Sequence, residues 1–218
     1  WSFQTAKQLT CGDGGILTTN NAILAKKMRK FSNLGFKVLN AKSNKIVVTK
    51  DQRQNPNYKR FDEIGFNYRM NEFSAAIALA QCERVNYFVE KRRKAALSLT
   101  KILKNNKHLI PQKISKNAYS TYYTLAVKLI KSSQKKLSWS NFRKKFMEFG
   151  GDGIYAASKL IHQEPAIKKN KIGKMSNRTP NAKKLQKELL LFTTNQSNQK
   201  EINIQTKALK NTIDYFKL

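Results

Sequence analysis

Acid is what this 218-residue chain is short of: 13 Asp and Glu stand against 43 Lys and Arg, leaving a formal net charge of +30. It has two cysteines, Cys11 and Cys82, in no paired spacing, which excludes a disulfide framework and points to a reducing cytoplasm. His108 and His162 are the only histidines and lie far apart in sequence, so no His-rich ligand cluster exists and zinc catalysis is not expected. Long apolar runs are missing too. AAIALA at 75 to 80 falls far short of a membrane span, so no membrane-spanning helix is expected. The chain opens on Trp1, with no basic head and apolar run before the globular pattern, and no secretory signal is read.

What remains is a globular composition. Hydrophobic residues make up 40% and aromatics 10%, too much for a solvated tail and enough for a substantial core. The charge excess has two readings. Lysines that neutralise phosphates would suit nucleic acid. Against that, 34 of the 43 basic residues are Lys and only 9 Arg, although Arg is favoured at bidentate phosphate forks, and 21 Asn accompany them. The lysines run from Lys7 to Lys217 with no recognition motif, so dispersed bias ranks ahead of a nucleic-acid footprint. The field would still draw in a small anionic substrate.

Periodicity predicts an α/β opening. ILTT at 16 to 19 reads as a short buried strand, Asn20 and Asn21 as caps, and AILAKKMRKFSNL as a helix stopped at Gly35. From Phe36 to Asp62 the pattern dissolves into polar sequence with a modest IVV at 46 to 48, an insert with at most a short strand. Asn71 then caps a helix whose Phe73, Ile77, Ala80, Phe88, Ala95 and Leu99 recur at three- to four-residue spacing, running to about Lys104 and linking two domains. Beyond Pro111 come a strand at 122 to 130, a helix at 138 to 150, strands at 153 to 157 and 189 to 194, and a closing helix at 200 to 216, a compact α+β pattern. Residues 163 to 182 read as irregular surface.

The opening WSFQTAKQLTCGDGG resembles the lysine segment of the DegT/DnrJ/StrS family of pyridoxal-phosphate sugar aminotransferases, through Ser2, Phe3, Lys7, Thr10, Gly12, Asp13, Gly14 and Gly15. IGFNYRMNEFSAAIALAQ from residue 64 resembles the family's second signature, and the likeness extends more loosely over nearly the whole chain. The resemblance implies fold type I, an aspartate aminotransferase-like α/β fold. Residues 1–70 would be the remainder of a large cofactor-binding domain with an insert near 36–62. Residues 71–104 would be a linking helix, and 105–218 a small carboxy-terminal α+β domain.

It also implies roles. Lys7 would be the catalytic lysine that holds pyridoxal 5'-phosphate, which requires a neutral amine, whereas an ordinary lysine has a pKa of about 10.4. Taken alone, Lys7 is one of 34 lysines and a solvated charge. Ser2 would donate to the cofactor phosphate, or simply bond its own backbone. Asn67 would reach the phosphate of a partner's cofactor in a homodimer with shared sites, or merely occupy a turn. Tyr68 and Arg69 are weaker substrate-binding candidates, Arg69 having Glu72 as an alternative partner. His162 faces a sugar in the family reading and is structural in the other. GDGG at 12 to 15 is a tight turn, not a phosphate loop.

The implied reaction moves an amino group from an amino-acid donor, usually glutamate, to a keto group of a nucleotide-linked sugar for polysaccharide biosynthesis. Lys7 separates this from the dehydrating subset of the family, which carries histidine there. Family members place a phosphate-binding turn, a ring-stacking aromatic and a ring-nitrogen aspartate before the lysine segment; none precedes Trp1, so the chain is expected to be a carboxy-terminal fragment, inactive in isolation. The rivals are a basic nucleic-acid-binding module and a catalytically dead dimerisation remnant.

Overall fold

The computed structural model describes residues 1–37, 48–130, 137–170 and 179–218. They form two compact units, Trp1–Val85 and Asn86–Leu218.

In the first unit, α1 spans Ala22–Ser32, and the Asn21 side chain accepts from the Leu24 amide, as the cap expected from sequence. The chain leaves α1 through Gly35 at φ 73°, whose N–H bonds to the Lys30 carbonyl. The strand expected at 16 to 19 is not one. Ile16–Thr19 carries no regular structure; the backbone hydrogen bonds of this stretch, among the described residues, join Ile16 to Trp1, with Gly15 bridged to Ser2. Ile16 and Leu17 are exposed, and without a ladder to join the apolar run forms no strand.

The insert is closed at its base. Asn33 bridges Asn67 and Phe36 bridges Phe61, so residues 33–37 and 60–68 run antiparallel side by side. Within the insert, α2 (Lys50–Gln54) was not anticipated; it is held by a reciprocal capping box between Thr49 and Gln52. Of the short strand suggested at 46 to 48, residues 46 and 47 lie outside the described residues, and Val48 is in no strand.

The single helix expected over 71–104 is two, α3 (Glu72–Glu83) and α4 (Val85–Ile102). Asn71 caps the first as predicted. Arg84 breaks the run at φ −103°, ψ 11°, its N–H reaching back three residues to the Gln81 carbonyl.

The second unit is a four-stranded antiparallel sheet in the order β1-β2-β4-β3: β1 Leu109–Pro111, β2 Leu125–Leu129, β3 Ile154–Ala156 and β4 Leu189–Phe192. The register pairs Leu125 with Phe192 and Val127 with Leu190, so one face of the sheet is apolar. α5 (Trp139–Glu148) and α8 (Gln199–Phe216) are capped by Ser138 and Asn198 and contribute Phe142, Phe146, Ala208, Leu209 and Phe216 to the same core. Phe192 meets Phe142 and Phe146 edge-on at 6.5 and 5.5 Å between ring centres. The segment 163–182 is less irregular than expected: α6 (Pro165–Lys169) and α7 (Pro180–Glu188) each open on a proline, which needs no N–H in a first turn. Residues 171–178 lie outside the described residues. Among the described residues no helix is long and apolar enough to cross a membrane.

Candidate active site

Lys7 sits at the tip of a turn built by its neighbours. The Phe3 amide donates to the Gly14 carbonyl at 2.9 Å and the Cys11 amide to the Phe3 carbonyl at 3.0 Å, closing residues 3–14 into a loop. The loop is anchored from below, where Phe3 and Cys11 are buried against Ala78, with Leu9 and Met70 around them. Thr10 and Thr5 cross-brace it, their hydroxyls donating to the Phe3 and Gly12 carbonyls at 3.1 Å each. Gly12 takes φ 91° at the turn, in keeping with a tight turn at GDGG. The result is a rigid base under an exposed Lys7, and no carboxylate among the described ion pairs meets its ammonium.

Ser2 lies on the same loop's edge, bridged to Gly15, and its Oγ accepts from the Gln4 amide at 3.3 Å. That bond uses a lone pair and leaves the hydroxyl proton to be donated, as a phosphate oxygen would require. Asn67 is exposed and bridged to Asn33. Arg69 does not take Glu72; its Nη1 donates to Asn33 Oδ1 at 3.0 Å. Asn33 is itself 2% exposed, so this bond ties Arg69 to a fixed point at the end of α1.

Tyr68, Arg69 and Met70 line an open cleft of about 1220 Å³, together with Asp13–Thr19 and the α1 residues Met28, Arg29, Phe31 and Ser32. Lys7, Ser2 and Asn67 are not among its lining residues. Two guanidinium groups, Arg29 and Arg69, face one carboxylate, Asp13, so the charged groups of the cleft favour an anion. Phe66 and Tyr68 stack at 5.3 Å with Phe31 tilted 5.1 Å from Phe66, giving the cleft an aromatic flank. The sequence reading missed Arg29 and Phe31; the three- to four-residue steps from Ala25 to Met28 and Arg29, and from Met28 to Phe31 and Ser32, on α1 were the available signal.

His162 belongs to the second unit, in a short 3-10 turn over Ile161–Gln163, and its Nε2 is buried without a hydrogen-bond partner among the described residues. A buried imidazole nitrogen without a partner is consistent with a ligand-facing or a purely structural role.

The model of the DegT/DnrJ/EryC1/StrS aminotransferase family matches residues 1–204. A Helicobacter pylori protein named UDP-4-amino-4,6-dideoxy-N-acetyl-beta-L-altrosamine transaminase is 30% identical over 111 residues, covering 51% of this chain and 26% of that protein. Among solved structures, the aminotransferase from Psychrobacter cryohalolentis superposes with a TM-score of 0.85 at 21% identity, over all of this chain and 56% of that one. Escherichia coli GDP-4-keto-6-deoxy-D-mannose-3-dehydratase, solved with bound hydrated PLP, gives 0.71 at 20% identity over 95% of this chain and 53% of that one. The chain thus spans about half the length of these solved structures and a quarter of the curated relative.

Proposed function

The chain belongs to the DegT/DnrJ/EryC1/StrS aminotransferase family and has its α/β fold, and from that premise we propose that it carries the lysine-bearing part of a pyridoxal-phosphate-dependent sugar aminotransferase. The observation that carries the reading is Lys7 itself, an exposed amine with no acid partner among the described ion pairs, held on a braced loop inside the family match. The donor set suits the cofactor: an amine at Lys7 for its aldehyde, a free hydroxyl proton at Ser2 and an amide at Asn67 for its phosphate.

Bound pyridoxal phosphate supplies an aldehyde that takes up amino groups and a ring that withdraws electrons from the neighbouring carbon. Lys7 Nζ would hold that aldehyde, and as a neutral amine it would take the proton from the donor's α-carbon as general base and hand it on as general acid. The loop base formed by Phe3, Cys11 and Ala78 restricts where Nζ travels. Ser2 Oγ donates to the phosphate, and Asn67 does the same for a partner's site, so each site in a homodimer needs two chains. Arg69, with Tyr68 beside it, receives the anionic part of the substrate, since a guanidinium held by Asn33 meets phosphate or carboxylate as a fork. Residues 1–70 act as part of the cofactor-binding domain and 105–218 as the small domain.

The substrate class is a nucleotide-linked keto-sugar and the donor an amino acid, glutamate by family resemblance. Lysine rather than histidine at position 7 favours amino transfer over dehydration. Free Cys11 and Cys82 support a cytoplasmic setting. The test is transfer from glutamate to a nucleotide-linked 4-keto-sugar, followed by the appearance of 2-oxoglutarate. Turnover in the complete enzyme that is lost in Lys7→Ala supports the reading. Salt-sensitive DNA binding without turnover, indifferent to Lys7→Ala, would replace it with the nucleic-acid-binding alternative.

A further inference from the structure

Among the described residues Lys30 is the one lysine that is buried, at 7% exposure. Lysine ammonium groups are almost never buried unless paired, and the pairing here is double: Nζ lies 2.7 Å from Asp62 Oδ2 and 3.2 Å from Glu63 Oε1. In a chain with 13 acids against 43 bases, two consecutive carboxylates converge on one ammonium. The partners lie 32 and 33 residues away, across the whole insert.

We infer that Lys30 is a positioning residue, whose clasp on Asp62 and Glu63 sets how the 64–70 segment presents Asn67, Tyr68 and Arg69. The meaning given to those three residues rests on the function proposed above; the clasp does not. Beyond Glu63 the chain is laid along the end of α1 by a short zipper. The Phe66 amide donates to the Phe31 carbonyl at 2.7 Å, the Leu34 amide to the Phe66 carbonyl at 3.0 Å, and the Tyr68 amide to the Ser32 carbonyl at 2.9 Å. These bonds sit on an exposed edge, with Phe66, Asn67 and Tyr68 all exposed, so little apolar burial holds the segment. The buried anchors are Lys30 before the zipper and Asn33, which takes Arg69, after it.

The charges around the clasp agree with this assignment. The hydrogen bond from Lys30 keeps the Asp62 carboxyl below its ordinary value, with a smaller electrostatic contribution from Lys37, while hydrogen bonding to Asp62 holds the Lys30 ammonium above its own. Removing the ammonium would leave two carboxylates side by side without the one cation that, among the described ion pairs, engages both. Arginine at the same place would keep the charge and the bidentate reach.

The test is amide hydrogen exchange in the protein, compared with Lys30→Met and Lys30→Arg. In Lys30→Met the Phe66 and Tyr68 amides should exchange about tenfold or more faster, a local opening, while those of Phe3 and Cys11 stay within about twofold. Lys30→Arg should restore protection. Equal acceleration at Phe3 and Cys11, or none at Phe66 and Tyr68, overturns the inference. Should Lys30→Met not fold, Asp62→Asn with Glu63→Gln gives the same comparison. Pyridoxal phosphate affinity is the second readout: Lys30→Met should weaken it, and adding it to Asn67→Ala should weaken it little further. Unchanged affinity in Lys30→Met alongside a weakened Asn67→Ala also overturns the inference. Unchanged affinity in both rejects the role given to Asn67 and leaves the exchange result to decide on the clasp.

Discussion

The amide nitrogen of Gly35 stands where a side chain on Gly65 would begin: a Cβ at Gly65 would lie 2.4 Å from it, and one at Gly35 only 1.8 Å from the Glu63 carbonyl oxygen. The two glycines let the two sides of the insert's base cross in contact. Gly35 adds a second requirement through its φ of 73°, which disfavours any side chain. Because the obstacles are backbone atoms, neither crossing can relax by a rotamer change. Gly65→Ala and Gly35→Ala should each destabilise the first unit by more than about 1 kcal/mol, the scale of an Ala forced to positive φ, with Gly35→Ala the worse. Denaturant unfolding followed at Trp1 checks this; equal stability for either variant would contradict the packing.

The clasp on Lys30 also has a pH signature. Asp62 is held below its ordinary 3.8, so its contribution is present above that pH and lost as pH falls through the lowered folded value. Lys30 is held above its ordinary 10.5, so its contribution is complete below that pH and lost as pH rises through the raised value. The pairing should therefore hold across the neutral range and open at both extremes. A carboxyl-carbon NMR titration of Asp62 should show a midpoint below 3.8 that moves upward in Lys30→Met.

In the second unit the sheet and its helices meet at Phe192. It is 1% exposed and edge-on to Phe142 and Phe146. Phe192→Ala should cost about 3–5 kcal/mol, the range for emptying a buried aromatic site. Chemical denaturation read at Trp139 measures it; a loss below about 1 kcal/mol would mean the core is not organised as described.

Two helix starts were legible because capping chemistry is local: Asn21 and Asn71 each accept from the amide three residues on. Ser138 and Asn198 do the same for α5 and α8, whose spans were read without a cap being named. The break at Arg84 was not legible, since Gln81-Cys82-Glu83-Arg84-Val85 holds neither glycine nor proline and the apolar rhythm passes through it. Ile16–Thr19 was misread for the opposite reason: an apolar run specifies a strand only where another strand is beside it. The site divides in the same way. The roles proposed for Lys7, Ser2, Asn67, Tyr68 and Arg69 rest on two contiguous signatures, which short-range sequence can carry. Lys30 was hidden within a basic helix segment, and Asn33 among 21 asparagines, because their partners Asp62, Glu63 and Arg69 come near only through the fold.

The account stands or falls on Lys7. Incubation of the protein with pyridoxal phosphate, reduction with borohydride and peptide mapping would locate the reduced adduct. A visible absorbance band with the adduct confined to Lys7, and both lost in Lys7→Ala, is the predicted result. Adduct scattered over the 34 lysines with no preference for Lys7 would contradict it.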